Sequence, residues 1–371
     1  MPTEAFVPAL PWAFPFAALL LAIAVLPLTA PHFWESNLRK LAVAGALALP
    51  VLLLYLRAHP QALAHTALEY ASFMVLLGGL FVISGGVVLE GDLEATTRTN
   101  ALLLGTGALV ASFVGTTGAS MLLIRPLLQT NRERKHVAHT VVFFIFLVSN
   151  IGGCLTPLGD PPLFLGYLNG VPFTWTFRLA LPWLFTVALV LAAYVAWDRR
   201  ALARETQSDL RRDRLEVRPL RMSGKENAVL LAGVLAAVAF LHAPWREVVI
   251  VALALVSYRQ TDPALHKANR FTFQPILEVA ALFAGIFVTM LPALDILKAR
   301  GNELGVREPW QFFWATGTLS SFLDNAPTYL TFLALAKGLG LAPEVVGVPH
   351  EILAAISLGA VFMGANTYIG N

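Results

Sequence analysis

The sequence predicts an all-α polytopic membrane protein built from two inverted-topology repeats, each with a re-entrant hairpin and a discontinuous helix. Three observations carry this: the composition, the recurrence of apolar segments along the chain, and a match between its two halves. Hydrophobic residues make up 57% of the 371 and charged residues only 13%, where soluble domains carry roughly 25% charged residues. The mean hydropathy is +0.68. The apolar segments are each about as long as the ~20 residues a helix needs to cross ~30 Å of hydrocarbon.

Taken in order, spans are expected near 12–30, 40–57, 66–89, 136–157, 175–197, 227–242, 246–259, 274–297 and 350–371. The first has no Lys or Arg before it, so it reads as a true span and not as a cleaved signal. Two further apolar segments, about 99–128 and 309–338, are interrupted at their middles by Gly, Ser, Thr or Pro and are expected to be re-entrant hairpins. With the hairpins not counted as crossings, the loops at 31–40, 90–98, 129–135, 198–226 and 259–273 share one face and hold 18 of the 26 Lys and Arg residues. The positive-inside rule places that face in the cytoplasm and the N-terminus outside, in a bacterial-type inner membrane. The polar linker 198–226 divides the chain into a first repeat, 1–197, and a second, 227–371. Its acids Asp198, Glu205, Asp209, Asp213 and Glu216 interleave with its bases, so it is expected to be a solvated loop with no nucleic-acid partner.

The halves align at an offset of ~210 residues. TGALVASFVGTTGAS (106–120) meets TGTLSSFLDNAPTY (316–329), LLGGLFVISGG (76–86) meets LFAGIFVTMLP (282–292), and TPLGD (156–160) meets TYIGN (367–371). Five crossings in the first half invert the second, which is the construction of many secondary transporters.

The stretch SNIGGCLTPLGDPPLFLG (149–166) interrupts the fourth span, giving a broken helix over about 136–170. Backbone that leaves the helix at membrane depth needs partners other than lipid, and lining a wet cavity provides them. Gly152, Gly153 and Gly159 are expected to let the backbone approach an ion, while Pro157, Pro161 and Pro162 fix the bend. Asp160 in this break, and Asp324 at the tip of the second hairpin, are ionisable groups among apolar neighbours and therefore functional candidates. Around them stand Ser149, Asn150, Thr156, Thr116, Thr117, Asn325, Thr328, Asn366 and Thr367, with Pro327 shaping the second tip. Carboxylate, amide and hydroxyl oxygens suit Na⁺ or H⁺, so Na⁺ is expected at Asp160, Asp324 and Asn325. Either aspartate would also serve as a helix N-cap. The two are expected to approach one another near the midplane. Glu69 and Glu278 read as helix-opening acids, and His136, His139 and Arg125 as interfacial side chains.

The pair TPLGDPP and LDNAP, with GANTYIGN near the end, resembles the ion transporter superfamily of secondary carriers, which includes sodium/proton antiporters, arsenite carriers and the citrate transporters. The resemblance spans essentially the whole chain. Pro157, Gly159 and Asp160 match the P-x-G-D break of the sodium/proton antiporters, and Asp324, Asn325 and Pro327 match their D-N-x-P hairpin. The carboxylate branch typically shows Ser-Asn-Thr at both tips, of which Asn366-Thr367 keeps part. The resemblance implies a secondary carrier, not an enzyme, that needs no cofactor. Two activities stay open: Na⁺ (or Li⁺) exchanged for H⁺, and Na⁺- or H⁺-coupled citrate or dicarboxylate transport. Small inorganic cations, a small carboxylate, the lipid bilayer and a second copy in a homodimer are the partners considered. The second repeat lacks a counterpart to 175–197, so the natural product is expected to run longer.

Overall fold

The computed structural model describes residues 6–341 and 343–367. A single turn at Leu10–Ala13 leads into α1 (Phe14–Thr29), followed by α2 (Pro31–Trp34), α3 (Asn37–Ala58) and α4 (Pro60–Gly85). Strand β1 (Val88–Asp92) precedes the first helical hairpin, α5 (Thr97–Val114) and α6 (Thr116–Thr130), which turns at Gly115. The helix α7 (Ala138–Leu147) then stops, and the chain resumes as α8 (Pro161–Leu168) and α9 (Ala180–Leu202). The linker contains α10 (Gln207–Leu215) and β2 (Arg218–Ser223), and α11 (Lys225–Phe240), α12 (Trp245–Gln260), α13 (Pro263–Ala268) and α14 (Gln274–Arg300) follow. The second hairpin is α15 (Pro309–Phe322) and α16 (Asn325–Gly338), and α17 (His350–Met363) ends in a short turn at Gly364–Asn366.

The chain is a multi-pass, all-α membrane protein. Among the described residues, five helical segments are long and apolar enough to cross a bilayer: Leu10–Thr29, Asn37–Ala58, Pro60–Gly85, Phe173–Leu202 and Gln274–Leu304. Helices α11 and α12, expected as two full spans, have 16 residues each, about 24 Å at ~1.5 Å per residue. The turn His242-Ala243-Pro244 cuts the apolar run between them.

Two compact units form. The first comprises Met1–Met74, Pro161–Val171 and Thr272–Asn371, and the second Val75–Asp160 and Pro172–Phe271. In the first, α14 packs against α3 and α16. A Cβ on Gly285 would stand 2.7 Å from that of Ala44, so glycine is what lets α14 seat on α3. Phe73 stacks on Phe283 at 4.9 Å, and Tyr55 donates to Asp295 at 2.8 Å. Glu69, expected to open its helix, lies well inside α4 and accepts a hydrogen bond from Asn169 at 3.1 Å. Glu278 pairs with the buried Lys40 at 2.5 Å.

In the second unit the polar groups are fixed by one another. Asn227 donates to Gly86 O at 3.0 Å and Thr261 Oγ1 at 2.9 Å, and accepts from Ser257 at 2.6 Å. Asp198, near the end of α9 and fully buried, accepts from Thr97 at 2.6 Å and Arg134 at 2.7 Å and lies 2.9 Å from His139 Nε2. The His139 ring stacks on Tyr194 and Trp197, so it is part of this buried network and not a plain interfacial side chain. His136 donates its backbone N–H to Glu205 at 2.8 Å.

The linker is the main departure from expectation. Instead of a solvated loop, it continues α9, adds α10 and then pairs β2 with β1 in an antiparallel sheet, Val88 opposite Ser223 and Glu90 opposite Arg221. Its interleaved acids are used locally: Asp213 is buried, accepts the Ala95 N–H at 3.0 Å, and burial pushes its carboxyl up. Glu216 takes Arg132 at 2.6 Å and Arg212 at 3.1 Å.

Candidate functional site

After Leu147 the chain leaves the α-helix and does not re-enter one until Pro161, and every residue from Asn150 to Asp160 is buried. The apolar run ends at Ser149-Asn150, and the glycines and Pro157 that follow disfavour a regular helix. The orphaned backbone groups find hydroxyls. Ser112 of α5 donates to Gly152 O and accepts from the Leu155 N–H at 3.2 Å. Thr156 donates to Ser112 O and accepts from the Leu158 N–H at 3.2 Å. Thr176 donates to Leu155 O at 2.9 Å.

The glycines of the break also allow close packing. A Cβ on Gly152 would meet Ala108 O and Leu147 O at 2.7 Å, and one on Gly159 would meet Gly153 O at 2.2 Å. They exist so that two turns of the break can lie against each other and against α5. Gly159→Ala is therefore expected to cost about 1–3 kcal/mol or more, because backbone must move to admit the methyl. A thermal unfolding midpoint for Gly159→Ala equal to wild type would contradict this packing account.

Asp160 closes the break at 1% exposure. Thr116, the first residue of α6, donates to its carboxylate at 3.3 Å, and the Thr116 N–H donates to Gly159 O at 2.9 Å. The turn of the first hairpin thus holds the end of the break by side chain and main chain together. Gly115 makes that turn at φ +82°, a conformation that favours glycine. Ser149 pairs with Ser120 at 2.8 Å, and Asn150 is buried with its carbonyl taking the Gly153 N–H at 2.9 Å. Thr117, expected beside Thr116, is exposed.

In the first unit Asp324 stands between α15 and α16, half-buried, and accepts the Ala326 N–H at 2.9 Å as the N-cap of α16. The capping role and the expected ion role fall on the same carboxylate. Asn325 and Thr328 are buried, and Thr328 donates to Asp324 O at 2.8 Å. Pro327 occupies the first turn of α16, where a missing N–H costs nothing. Asn366 donates to Ser321 Oγ at 3.0 Å, and Thr367 donates to Ser321 O. The last residues of the terminal motif, Tyr368 to Asn371, lie outside the described residues.

One pattern occurs twice. In the second unit Ser112 donates to Gly152 O and Thr156 donates back to Ser112 O. In the first, Ser321 donates to Met363 O at 3.0 Å and Thr367 donates back to Ser321 O, while Ser320 donates to Ala360 O at 2.7 Å. Thr156 and Thr367 are the matched residues of TPLGD and TYIGN, so the alignment of the halves coincides with a repeated Ser–Thr clasp between hairpin and break. The serines were not singled out from the sequence. The signal lay in the aligned TGALVAS and TGTLSSF segments, in which Ser112 falls one position from the residue opposite Ser321.

Among known proteins, a family model described as putative citrate transport matches residues 7–371, and the chain belongs to that family of transporters. No curated protein matches the chain.

Proposed function

With membership of that family as the premise, we propose that the chain is a secondary carrier that exchanges Na⁺ or Li⁺ for H⁺, using the carboxylates of Asp160 and Asp324. The observation that supports this most directly is Asp160, 1% exposed at the end of a non-helical break whose last carbonyl and carboxylate are both held by Thr116. An ionised carboxylate so buried is costly without a compensating positive charge. A proton or a cation can bind such a carboxylate, and competition between the two for it is exchange. Asp324 and the buried amide of Asn325 offer a second set of hard oxygens of the same kind.

A second activity is favoured by the family description. In a cation-coupled citrate or dicarboxylate carrier, the aspartates would bind the coupling ion. Hydroxyl and amide groups, Ser149, Asn150 and Thr116 in the second unit and Thr328 and Thr367 in the first, would then be the candidates to receive the anion. Proteoliposomes decide between the two. Addition of Na⁺ or Li⁺ is expected to drive H⁺ movement in the absence of any carboxylate. Uptake of labelled citrate or succinate with no cation-driven H⁺ movement would replace the exchange activity with the carboxylate one.

A further inference from the structure

At the base of the first hairpin, away from the break, the second unit carries another polar cavity. Arg125 and Gln129, one turn apart on α6, line it together with Arg218 and Arg221 of β2 and Glu90 of β1, around an open space of about 660 Å³. Two residues three apart on a regular strand point to opposite faces. Here the β1–β2 register slips between Glu90 and Asp92, and Gly91 takes φ +153°. A Cβ at Gly91 would stand 2.8 Å from Leu220 Cα. The irregularity is what lets Arg218 and Arg221 line the same cavity.

These three guanidinium groups differ from their neighbours. Arg132, Arg212 and Arg214 pair with Glu133, Glu216 or Glu94 at 2.6 to 3.1 Å. Among the described residues, the side chains of Arg125, Arg218 and Arg221 make no hydrogen bond or ion pair, although Glu90 lines the same space and Asp92 lies opposite Arg218 in the sheet. Three cations and one anion leave the cavity positive. Guanidinium forks match phosphate oxygens in pairs, which a lysine cannot do. The same strand bears exposed apolar side chains, Leu220 and Met222, as does the stretch just before it, Leu215 and Val217. Alternation of basic and exposed apolar groups suits the boundary between phospholipid headgroups and acyl chains.

We propose that this cavity binds the phosphate of an anionic phospholipid headgroup, with Arg125, Arg218 and Arg221 as its ligands and Leu220 and Met222 against the adjoining acyl region. The bound headgroup bridges α6 to β2 and so fastens the hairpin base to the linker. The site takes no part in exchange and stands whether or not the exchange activity does.

The test titrates the purified full chain, in a zwitterionic detergent, with short-chain phosphatidylglycerol while following the thermal unfolding midpoint. Phosphatidylglycerol is expected to raise the midpoint, and short-chain phosphatidylcholine to leave it unchanged. Arg218→Gln/Arg221→Gln, which alters only exposed side chains, is expected to raise the half-saturating lipid concentration on the order of tenfold, equivalent to ~1.4 kcal/mol. Arg125→Gln is expected to shift it in the same direction. Arg211→Gln, on the same linker but outside the cavity, should not. Equal titrations for wild type and the double variant, or equal effects of the two lipids, would overturn the site. If inorganic pyrophosphate reproduces the whole effect of phosphatidylglycerol, the lipid assignment fails and the cavity serves a free phosphate anion.

Discussion

Asp160→Asn is expected to yield a folded, membrane-inserted protein in which Na⁺-driven proton movement falls on the order of a hundredfold or more. The asparagine amide fills the same volume and keeps an oxygen for the Thr116 hydroxyl, which now donates at 3.3 Å, so the hairpin stays attached to the break. What disappears is the charge. A hydrogen bond or contact to a charged group is worth about 1.5–3 kcal/mol, and ~1.4 kcal/mol is a tenfold change in an equilibrium constant. The neutral amide also has no proton to exchange. Everted vesicles with matched amounts of inserted protein provide the measurement. Undiminished exchange in Asp160→Asn would remove this carboxylate from the mechanism, whatever its burial. Thr116→Val makes a graded companion: it keeps the charge and deletes one hydrogen bond, so its loss should be smaller.

Asp198→Ala is expected to destabilise the protein more than any single change at the break. Asp198 is the acceptor for Thr97, Arg134 and His139 together, and Arg134 is itself buried. Removing one partner of a buried pair costs about 3–5 kcal/mol where the other is left as an uncompensated charge, and here Glu205, 4.0 Å from Arg134, compensates only part of it. That is a large share of the ~5–15 kcal/mol that holds a typical domain folded. Unfolding in detergent should show it, and the Arg134→Ala/Asp198→Ala double variant should lose less than the sum of the two singles, because the residues share one network. Strict additivity, or a wild-type midpoint for Asp198→Ala, would show that the pair is not what holds α9 to the hairpin base.

The helices were legible because burial in lipid imposes an apolar composition that any window of the sequence displays. The break at 149–160 was legible for the opposite reason: Gly, Pro and Asp are expensive in a span, so their presence marks a place where the helix ends. Their detailed work was not legible. The glycines at 152, 153 and 159 make room for neighbouring backbone, a tertiary fact that no local pattern states. The sheet was missed because β1 is five residues long and its partner lies some 130 positions away. RPLRMS by itself looks like any charged linker, and all six of its residues are exposed. Ser112 and Ser321 were hidden because serine in a hairpin is ordinary, and only the carbonyls left bare by each break give those hydroxyls their role. Thr117 was included because the tip Gly115-Thr116-Thr117-Gly118 is hydroxyl-rich, but on a helix consecutive residues face different ways.

The pairing of Val88–Asp92 with Arg218–Ser223 also has a bearing on biosynthesis. As the polypeptide leaves the ribosome, the first strand emerges long before the second exists, and between them come the first hairpin, the break, α8 and α9. The strand therefore waits with its ladder N–H and C=O groups unpaired, and an unpaired strand edge invites the wrong partner. Pairing becomes available only once α9 has been delivered to the bilayer, so the sheet closes over a finished set of insertions and records that they succeeded. A chain interrupted before Ser223 would lack that closure and leave Val88–Asp92 without its partner strand.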